Sequence, residues 1–295
     1  MSSANTLRVC TAGTLLLACC IATSAAENSY RIVNIEVPGA SPGSTEALGG
    51  NDLGDVCGRY DDADGNTHGF VLSHGRYRTL DVPGAVFSAP RKINDEGDVV
   101  GRYIDVNNVS HGFFWHSGAF LTVDFPGSVD TRLRGLNNLG TLVGNYRMAD
   151  GVEHGFIKDH EGFRTIDFPG SSTTDVWDVN DFETFVGDWS DSGGLVHGYR
   201  LKHGVFTSVD FPGAGNTSLR GINLFGDTVG LWGDVADSVE HGLVIVRGRE
   251  LTRDVAGAAF TDLFSISFDG SLVGTWQDVD GNFHGFVLVP ETDSR

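Results

Sequence analysis

The sequence predicts an all-β fold, a six-bladed β-propeller in which each blade is a four-stranded antiparallel sheet. Three observations lead to this fold class. A repeat of constant length fills most of the chain, each repeat holds four strand-like segments, and the fourth segment of the last repeat stands at the other end of the sequence. A period of about 40 to 45 residues is typical of propeller blades.

The repeat is clearest in segments such as "INDEGDVVGRY", which starts at Ile93. Equivalent segments start at Leu136, Val179 and Ile222, each 43 residues after the one before. A His-Gly pair marks the same period at His68, His111, His154, His197, His241 and His284. Six units therefore follow the N-terminal segment.

Within each unit, short runs rich in β-branched and aromatic residues alternate with Gly, Asp and Asn turn signals. In the unit around residue 150 the predicted strands are "TRLRGLN", "TLVGNYR", "HGFIKD" and "FRTIDF", here called a, b, c and d. Four short strands joined by such turns predict one antiparallel sheet per unit.

The two ends of the chain favour a closed ring over an open array. The last unit ends with "HGFVLV" and lacks strand d, whereas "YRIVNIEVPGA", which starts at Tyr30, carries the strand-d pattern. Pairing of this N-terminal strand with the last unit removes exposed sheet edges. We therefore predict five continuous blades and one composite blade.

Three submotifs recur in order: the His-Gly pair followed by an apolar residue, a "DFPG" segment and an "IN..G..VG.Y" segment. This pattern resembles the HAF-repeat family of extracellular bacterial proteins, and the resemblance covers Tyr30 to Pro290. The chain has Gly in every copy where the family name has Ala, and its fifth unit departs with "HGL" and "DVAGA". The resemblance implies export and a repeated β architecture, and it implies no particular activity.

Residues 1–26 have the features of a secretory signal peptide, with Arg8 as the only charge, an apolar run and small residues up to Ala26. The run is too short to span a bilayer as a helix. Residues 27–295 would then form a single propeller domain, exported as a secreted or periplasmic protein. The alternative takes "LLAC" as a lipobox with Cys19 as a lipid-modified N-terminus. Three of the four cysteines lie in the predicted signal peptide, so the exported domain would keep only Cys57 and would form no internal disulfide.

The chain is strongly acidic, with 20 Lys and Arg against 39 Asp and Glu and a formal net charge of −19. Such a field repels phosphate backbones and anionic lipid. Nucleic acid is therefore not an expected partner, and a glycan, a peptide or a protein remains. The sequence does not specify an oligomeric state.

Each His-Gly histidine lies thirteen residues before the acid of the following "D(F/V)PG" segment. An odd separation across a hairpin places two residues opposite each other on one face, within reach of a charge-assisted hydrogen bond. The predicted pairs are His68 with Asp81, His111 with Asp124, His154 with Asp167, His197 with Asp210, His241 with Asp254, and His284 with Glu36 across the closure. Six copies favour a structural latch over the alternative of acid–base or metal chemistry, which needs one.

An aromatic residue follows each "VG" of strand b by two positions, as Tyr146 does. We predict that it packs between blades and that the Gly permits close approach there; a stacking platform for sugar rings is the alternative. The b–c loops place carboxylates close together at Asp61, Asp62, Asp64, Asp278 and Asp280. Neither loop has the distal bidentate Glu of an EF-hand, so no cofactor or metal is predicted, with calcium at these loops as the alternative.

A unique site should lie where the repeats differ, and strand a, the predicted innermost strand, differs most. One column of channel-facing positions holds Leu48, Arg91, Arg134, Trp177, Arg220 and Phe264, and a second holds Glu46, Ala89, Arg132, Asp175, Ser218 and Asp262. Arginines suit a carboxylate or sulfate through forked hydrogen bonds. The predicted ligand-binding residues are Arg91, Arg132, Arg134, Trp177, Arg220 and Phe264, and the candidate catalytic acids are Asp175, Asp262 and Glu46. Alternatively, these side chains pair with each other and with water.

No motif of a nucleophilic or metal-dependent enzyme is present, so the sequence favours a binding or interaction module over an enzyme. Two alternatives remain: a propeller hydrolase or lyase acting on an acidic sugar or lactone in the channel, and a structural envelope protein. The identity of the ligand does not follow from the sequence.

Overall fold

A computed structural model describes residues 29–234 and 239–291, and this part of the chain forms 24 β-strands. The predicted signal peptide, its alternative lipid site Cys19 and the cleavage point after Ala26 lie outside the described residues. No helix in the described part is long and apolar enough to cross a membrane.

The strands form four-stranded antiparallel units, as the sequence predicts. The first unit holds β2 (Glu46–Gly50), β3 (Val56–Asp61), β4 (Thr67–Ser73) and β5 (Arg76–Thr79). The second holds β6 (Phe87–Ile93), β7 (Val99–Ile104), β8 (Ser110–His116) and β9 (Ala119–Thr122). A single parallel pair, Thr67 with Phe87, links these two sheets.

The next three units repeat this arrangement. The third holds β10 (Asp130–Leu136), β11 (Leu142–Arg147), β12 (Glu153–Asp159) and β13 (Gly162–Ile166). The fourth holds β14 (Thr173–Val179), β15 (Thr184–Ser190), β16 (Val196–Lys202) and β17 (Val205–Val209). The fifth holds β18 (Ala214–Ile222), β19 (Thr228–Asp234), β20 (Glu240–Val246) and β21 (Arg249–Thr252).

The last sheet joins the two ends of the described chain. It holds β22 (Phe260–Ile266), β23 (Leu272–Gln277), β24 (Phe283–Pro290) and, as its outer strand, β1 (Tyr30–Ile35). β1 runs antiparallel to β24 from the pair Tyr30 with Pro290 to the pair Ile35 with Gly285. The N-terminal strand thus occupies the strand-d position that the last repeat lacks.

The six strands a (β2, β6, β10, β14, β18 and β22) lie side by side, and β22 also contacts β2. The space that they enclose is called the axial space below. Strand a pairs with strand b, strand c follows, and strand d is outermost in each sheet.

Apolar residues that point between neighbouring sheets form the core. The strand-a positions Ala47, Leu133, Val176, Leu219 and Leu263 are fully buried. Strand c contributes a second fully buried column at Phe70, Phe113, Phe156, Tyr199, Leu243 and Phe286. Core clusters combine residues of adjacent sheets, as Val100 does with Leu133 and Phe156, so each sheet depends on its neighbours for burial.

The "VG" glycine has a different role from the predicted one. A Cβ atom on Gly144 would lie 2.0 Å from the carbonyl oxygen of Arg132, and one on Gly187 would lie 1.9 Å from that of Asp175. Both obstacles belong to strand a of the same sheet. The expected close approach between neighbouring blades is therefore wrong for this position, because the glycine lets strands a and b of one sheet come together.

Asparagines at the end of strand a tie the six sheets together. Asn51 donates its side-chain N–H to the carbonyl oxygen of Asn94 over 2.9 Å, and the same bond recurs from Asn94, Asn137, Asn180 and Asn223 to the next sheet. The Ser267 hydroxyl donates to the carbonyl oxygen of Asn51 over 3.4 Å. This relay passes through every sheet and returns to its starting residue.

Candidate functional site

The structure brings each predicted histidine to its predicted acid. Histidine Nδ1 lies 2.7 Å from a carboxylate oxygen for His68 with Asp81 and 3.0 Å for His154 with Asp167. The corresponding distances are 2.8 Å for His111 with Asp124, 2.9 Å for His197 with Asp210, 2.8 Å for His241 with Asp254 and 3.1 Å for His284 with Glu36. In three of the sheets the other carboxylate oxygen accepts the backbone N–H of the glycine after the histidine, as Asp81 does from Gly69 over 2.9 Å.

The strand-b aromatics pack against these histidines. The ring of Tyr146 lies 5.3 Å from that of His154 in its own sheet and 3.7 Å from that of Phe125 of the preceding sheet, centroid to centroid. Trp189 has equivalent neighbours in His197 and Phe168. Because protein rings already occupy these aromatics, the geometry fits interblade packing and leaves little face for a sugar.

The b–c loops use their aspartates within the loop. Asp62 Oδ1 accepts the backbone N–H groups of Asp64 and Asn66 over 2.9 Å each, and its Oδ2 lies 3.1 Å from His68 Nε2. The side-chain hydrogen bond from Asn66 is the largest cause of the strongly lowered Asp62 pKa. Asp278 forms the same turn with Asn282, which lowers its pKa to about 2. Among the described residues, no group of three or more His, Cys, Asp or Glu is placed to hold a metal ion.

The first predicted channel column coincides with a β-bulge in every sheet. The a–b pairing skips one residue of strand a each time, at Leu48, Arg91, Arg134, Trp177, Arg220 and Phe264. A bulge leaves the extra residue unpaired and re-aims its side chain. The column that varies most between repeats is thus the one that the fold directs toward the axial space.

The next residue of strand a alternates between glycine and a polar side chain, in the order Gly49, Lys92, Gly135, Asp178, Gly221 and Ser265. A Cβ on Gly135 would lie 2.6 Å from the carbonyl oxygen of Trp177, so the glycines let neighbouring strands meet. The three polar side chains meet instead in the axial space. Lys92 Nζ lies 2.7 Å from Asp178 Oδ2 and 3.3 Å from Ser265 Oγ.

This layer separates the axial space into two parts. On one side lies the asparagine relay, and on the other lie the bulge column and the second predicted column. Asp178 is almost completely buried and also accepts the backbone N–H of Ile222 over 3.1 Å. The part on the bulge side, called the arginine chamber below, is therefore closed at its floor by Lys92 and Asp178.

Several predicted ligand-binding side chains contact each other in the chamber. The guanidinium carbon of Arg134 lies 4.1 Å from the ring centre of Trp177, and that of Arg220 lies 4.6 Å from it. These arginines come from the sheets on either side of Trp177, so the ring is already stacked. Arg220 also lies 5.1 Å from the ring centre of Phe264 and pairs with Asp262.

Other predicted residues are paired at the margin of the chamber. Glu46 Oε1 lies 2.5 Å from Arg59 Nη2, and Arg132 lies 3.1 Å from Asp130. Arg132 also lies 3.6 Å from Glu153. The alternative in which these side chains satisfy each other therefore holds for Glu46, Arg132, Arg220 and Asp262.

Arg91 and Arg102 are different. Within residues 29–234 and 239–291, neither has a carboxylate at ion-pair distance or an acceptor for its guanidinium, although both are half-buried. Arg102 lies 4.9 Å over the Phe87 ring, and Arg134 donates only to the amide oxygen of Asn145. Burial, followed by the charges of Arg134 and Arg59, lowers the Arg91 pKa well below its ordinary value. The guanidinium groups of Arg91, Arg102 and Arg134 thus form an arc of positive charge that makes no direct ion pair in the described structure. Burial lowers the Arg134 pKa, and the charges of Asp175 and Glu153 oppose that shift.

The opposite side of the chamber is acidic. Asp175 and Asp188 lie directly opposite each other on strands β14 and β15, an arrangement that like charges disfavour. Burial, and then the neighbouring Asp188 charge, raises the pKa of Asp175 to about 6. Burial also raises the pKa of Asp262 to about 7, with Arg220 opposing the shift. Oδ1 of both Asp175 and Asp262 lacks a hydrogen-bond partner in the described structure.

The repeated sequence motifs do not point to Lys92, Asp178, Arg102 or Asp188. Arg102 and Asp188 belong to a third chamber column on strand b, which holds Arg59, Arg102, Asn145, Asp188, Leu231 and Thr275. Its position, between the "VG" glycine and the aromatic residue, varies between Arg, Asn, Asp, Leu and Thr while both flanking positions are regular. This variation between repeats is the sequence feature that indicates Arg102 and Asp188 as site residues.

Comparison with solved structures assigns the fold class: the chain is a β-propeller. It superimposes on AofleA from Arthrobotrys oligospora with a TM-score of 0.58 at 14% identity, over 89% of this chain and 88% of that one. A putative TolB from Agrobacterium tumefaciens gives a TM-score of 0.58 at 16% identity, over 89% and 100%. An Aleuria aurantia lectin in complex with Fucalpha1-6GlcNAc gives 0.51 at 8% identity, over 86% and 100%. No protein-family model matches the chain, and no curated protein matches it.

Proposed function

We propose that this protein is an exported, closed six-bladed β-propeller that binds an acidic glycan or a related small anion in the arginine chamber. The observation that carries the proposal is the arc of Arg91, Arg102 and Arg134, which makes no direct ion pair in the described structure. The HAF-repeat resemblance and the predicted signal peptide support export. β1 completing the last sheet and the returning asparagine relay support closure as six blades.

Function is expected in the chamber because the repeated residues are already used. Each histidine binds an acid at the end of the strand d that pairs with it, and each strand-b aromatic packs on that histidine. The variable columns include Arg91 and Arg102, which make no ion pair or side-chain hydrogen bond in the described structure. A site built from them would be unique, whereas a site built from the histidines would occur six times.

The charge of the arc favours an anionic ligand. In a chain with a net charge of −19, unpaired half-buried guanidinium groups are costly unless an anion or water compensates them. A carboxylate or a sulfate matches the two parallel N–H groups of a guanidinium. The ligand would replace water at Arg91 and Arg102 and gain charge-assisted hydrogen bonds there.

The shape of the chamber favours a small ligand or the end of a chain. Lys92 and Asp178 close the floor, so a polymer is not expected to thread through the axial space. On the far side, Asp188 Oδ2 already accepts the Trp177 Nε1–H over 2.8 Å and the Ser218 hydroxyl over 2.5 Å. Asp175 Oδ1 has no hydrogen-bond partner in the described structure and is available to a ligand hydroxyl. A sugar ring that carries one acidic group and several hydroxyls matches both sides. The glycan named for the Aleuria aurantia lectin, a protein of the same fold class, supports a sugar over a peptide.

The experiment is a binding screen on residues 27–295, with uronic acids, sulfated sugars and their neutral counterparts as ligands. We expect acidic sugars to bind and raise the melting temperature. Arg91→Gln and Arg102→Gln should each weaken binding by about tenfold, the loss of one charge-assisted contact. The matched control is Arg164→Gln, because Arg164 pairs with Asp159 outside the chamber. Equal binding of acidic and neutral sugars, or full affinity in both chamber variants, would contradict the proposal.

An enzyme remains a second candidate because of one observation, the raised pKa of Asp175 opposite Asp188. A carboxyl held protonated near neutral pH is the usual general acid of glycoside cleavage. A hydrolase or lyase acting on the same acidic sugars would lose turnover in Asp175→Asn while retaining binding through Arg91. Binding without turnover in the unaltered protein supports the binding module instead.

A further inference from the structure

The a–b turns carry large apolar side chains at their tips. The six turns have the sequences "NDLG", "NDEG", "NNLG", "NDFE", "NLFG" and "SFDG". Six apolar residues in them are between 37% and 73% exposed: Leu53, Leu139, Phe182, Leu224, Phe225 and Phe268. These six residues are called the apolar crown below. They lie at the end of the axial space opposite the arginine chamber.

The crown is one surface, because the turns that carry it are hydrogen-bonded to one another. The backbone N–H of Asp52 donates to Asp95 Oδ1 over 2.9 Å, and that of Phe268 donates to Asp52 Oδ1 over 2.8 Å. The turns also line a shared cavity of about 60 Å³ above the asparagine relay. The apolar tips therefore surround the end of the axial space, and a partner there would contact several of them at once.

The fold does not require apolar residues at these tips. Glu96 and Asp269 occupy the third turn position, where Leu53, Leu139, Phe182 and Phe225 stand in the other units. Asp52, Asp95, Asn138 and Asp181 occupy the second, where the last two units have Leu224 and Phe268. Because polar residues serve the same turns equally well, the exposed Phe and Leu side chains indicate contact with something outside the chain.

The same face is acidic. The turn segments 51–55, 94–98, 137–141, 180–184, 223–227 and 267–271 contain nine Asp and Glu and no Lys or Arg. Lys92 beneath them is paired with Asp178, and Arg200 binds the carbonyl oxygen of Gly226 at the margin of a turn. The c–d turns lie at the same end of the sheets and carry Arg76, Lys202, Arg247 and Arg249. The Arg247 backbone N–H binds Asp227 Oδ1, and His116 lies 2.5 Å from Asp98 Oδ1, so the acidic centre of this face is bordered by cations. Two such faces repel each other, as do this face and an anionic bilayer. A positively charged partner is attracted to it.

We propose that the apolar crown docks a cationic amphipathic segment of a partner protein. The Leu and Phe side chains of the crown would pack on the apolar face of that segment. The surrounding carboxylates of Asp52, Asp95, Glu96, Asp181 and Asp269 would attract its Lys or Arg residues. Aromatic side chains at the centre of an interface supply much of its affinity, so Phe182, Phe225 and Phe268 are the expected anchors.

The test uses residues 27–295 and two synthetic amphipathic helices of equal length, one of Leu and Lys and one of Leu and Glu, followed by fluorescence anisotropy. We expect the Leu/Lys peptide to bind and the Leu/Glu peptide not to bind. The double variant Phe182→Ser, Phe225→Ser should weaken binding by about tenfold or more. Its matched control is Val106→Ser, Val279→Ser, which removes two exposed apolar side chains from b–c loops on the other face.

Three outcomes would overturn the proposal: equal binding of both peptides, full affinity in the crown variant, or equal loss in the control variant. Sedimentation of the protein alone tests whether a second copy of this chain occupies the crown. Self-association that disappears in the crown variant would assign the crown to a dimer instead. The Arg91→Gln variant should bind the peptide normally, so this test and that of the arginine chamber fail independently.

Discussion

Lys92 Nζ lies 2.7 Å from Asp178 Oδ2, although the two residues belong to sheets that are not neighbours. The Lys92 and Asp178 side chains are 12% and 1% exposed, so the pair is removed from water. Burial alone raises the Asp178 pKa, and Lys92 opposes that shift. The pair therefore links two sheets that are not neighbours at the cost of desolvating two charges.

Removal of one member of this pair should lower the free energy of unfolding more than removal of both members. We expect Lys92→Met to lower the free energy of unfolding by about 3 to 5 kcal/mol, because it leaves a buried carboxylate without its counter-charge. The double variant Lys92→Met, Asp178→Asn should recover part of that loss, since the Asn side chain can still accept the Ile222 N–H. Urea denaturation of the two single variants and the double variant measures the coupling. Strict additivity would show that the pair contributes no interaction energy.

The repeat explains why the strands were predictable and the axial ion pair was not. A fixed period with alternating apolar residues specifies strands, hairpin register and the partners of His154 or His197, since these lie within one unit. Lys92 and Asp178 stand two units apart at a position that is Gly in three other units, so no periodic pattern joins them. The bulge that directs Arg91 inward is likewise a deviation from strand periodicity. Trp177 was predicted as a ligand contact. Arg134 and Arg220 stack on it, and both belong to neighbouring sheets, so the contact forms only when the sheets pack together.

The histidine latch should affect stability and not binding. His154→Ala removes the hydrogen bond to Asp167 and the ring packed against Tyr146. We expect a loss of about 1 kcal/mol, which corresponds to a fall in melting temperature of roughly 2 to 4 °C in a domain of this size. Affinity for the ligands of the arginine chamber should be unchanged. Loss of binding at unchanged melting temperature would instead give the histidine a role in recognition.

The stability that the His68–Asp81 pair contributes should depend on pH. The hydrogen bond to Asp81 is the main cause of the raised His68 pKa, so the protonated ring is favoured in the folded state. A raised pKa contributes stability that is complete below the unfolded value of 6.5 and is lost as the pH rises through the folded value. The melting temperature of His68→Gln should therefore differ most from that of the unaltered protein near pH 5 to 6, by about 2 to 4 °C. A difference that grows toward pH 8 would contradict this sign.

The stability that Asp62 contributes should depend on pH with the opposite sign and in a more acidic range. Its pKa is lowered, chiefly by the Asn66 side chain, so its contribution is present at neutral pH and is lost as the pH falls through the acidic range. In Asp62→Asn, the Asn side chain keeps one acceptor for the loop N–H groups but cannot titrate. The melting temperatures of this variant and of the unaltered protein should begin to converge only below the ordinary pKa value of 3.8, and they should continue to converge as the pH falls further. The exposed Asp64→Asn, whose carboxylate makes no hydrogen bond in the described structure, serves as the comparison and should show no such convergence.

Glu183 has a positive φ at the fourth position of its a–b turn, where the other units have glycine. The fourth turn position is Gly54, Gly97 and Gly140 in the first three units, with φ between 81° and 83°, and Glu183 in the fourth, with φ of 52°. A side chain in this left-handed region costs about 1 kcal/mol, which glycine avoids. Glu183→Gly should therefore raise the free energy of unfolding by a few tenths to about 1 kcal/mol, because the greater unfolded-state entropy of glycine offsets part of the gain. The converse change Gly97→Glu should lower it by a similar amount. The control Glu183→Gln removes the charge but keeps a side chain in the left-handed region. A gain as large as that of Glu183→Gly would show that surface charge, and not backbone conformation, governs this turn.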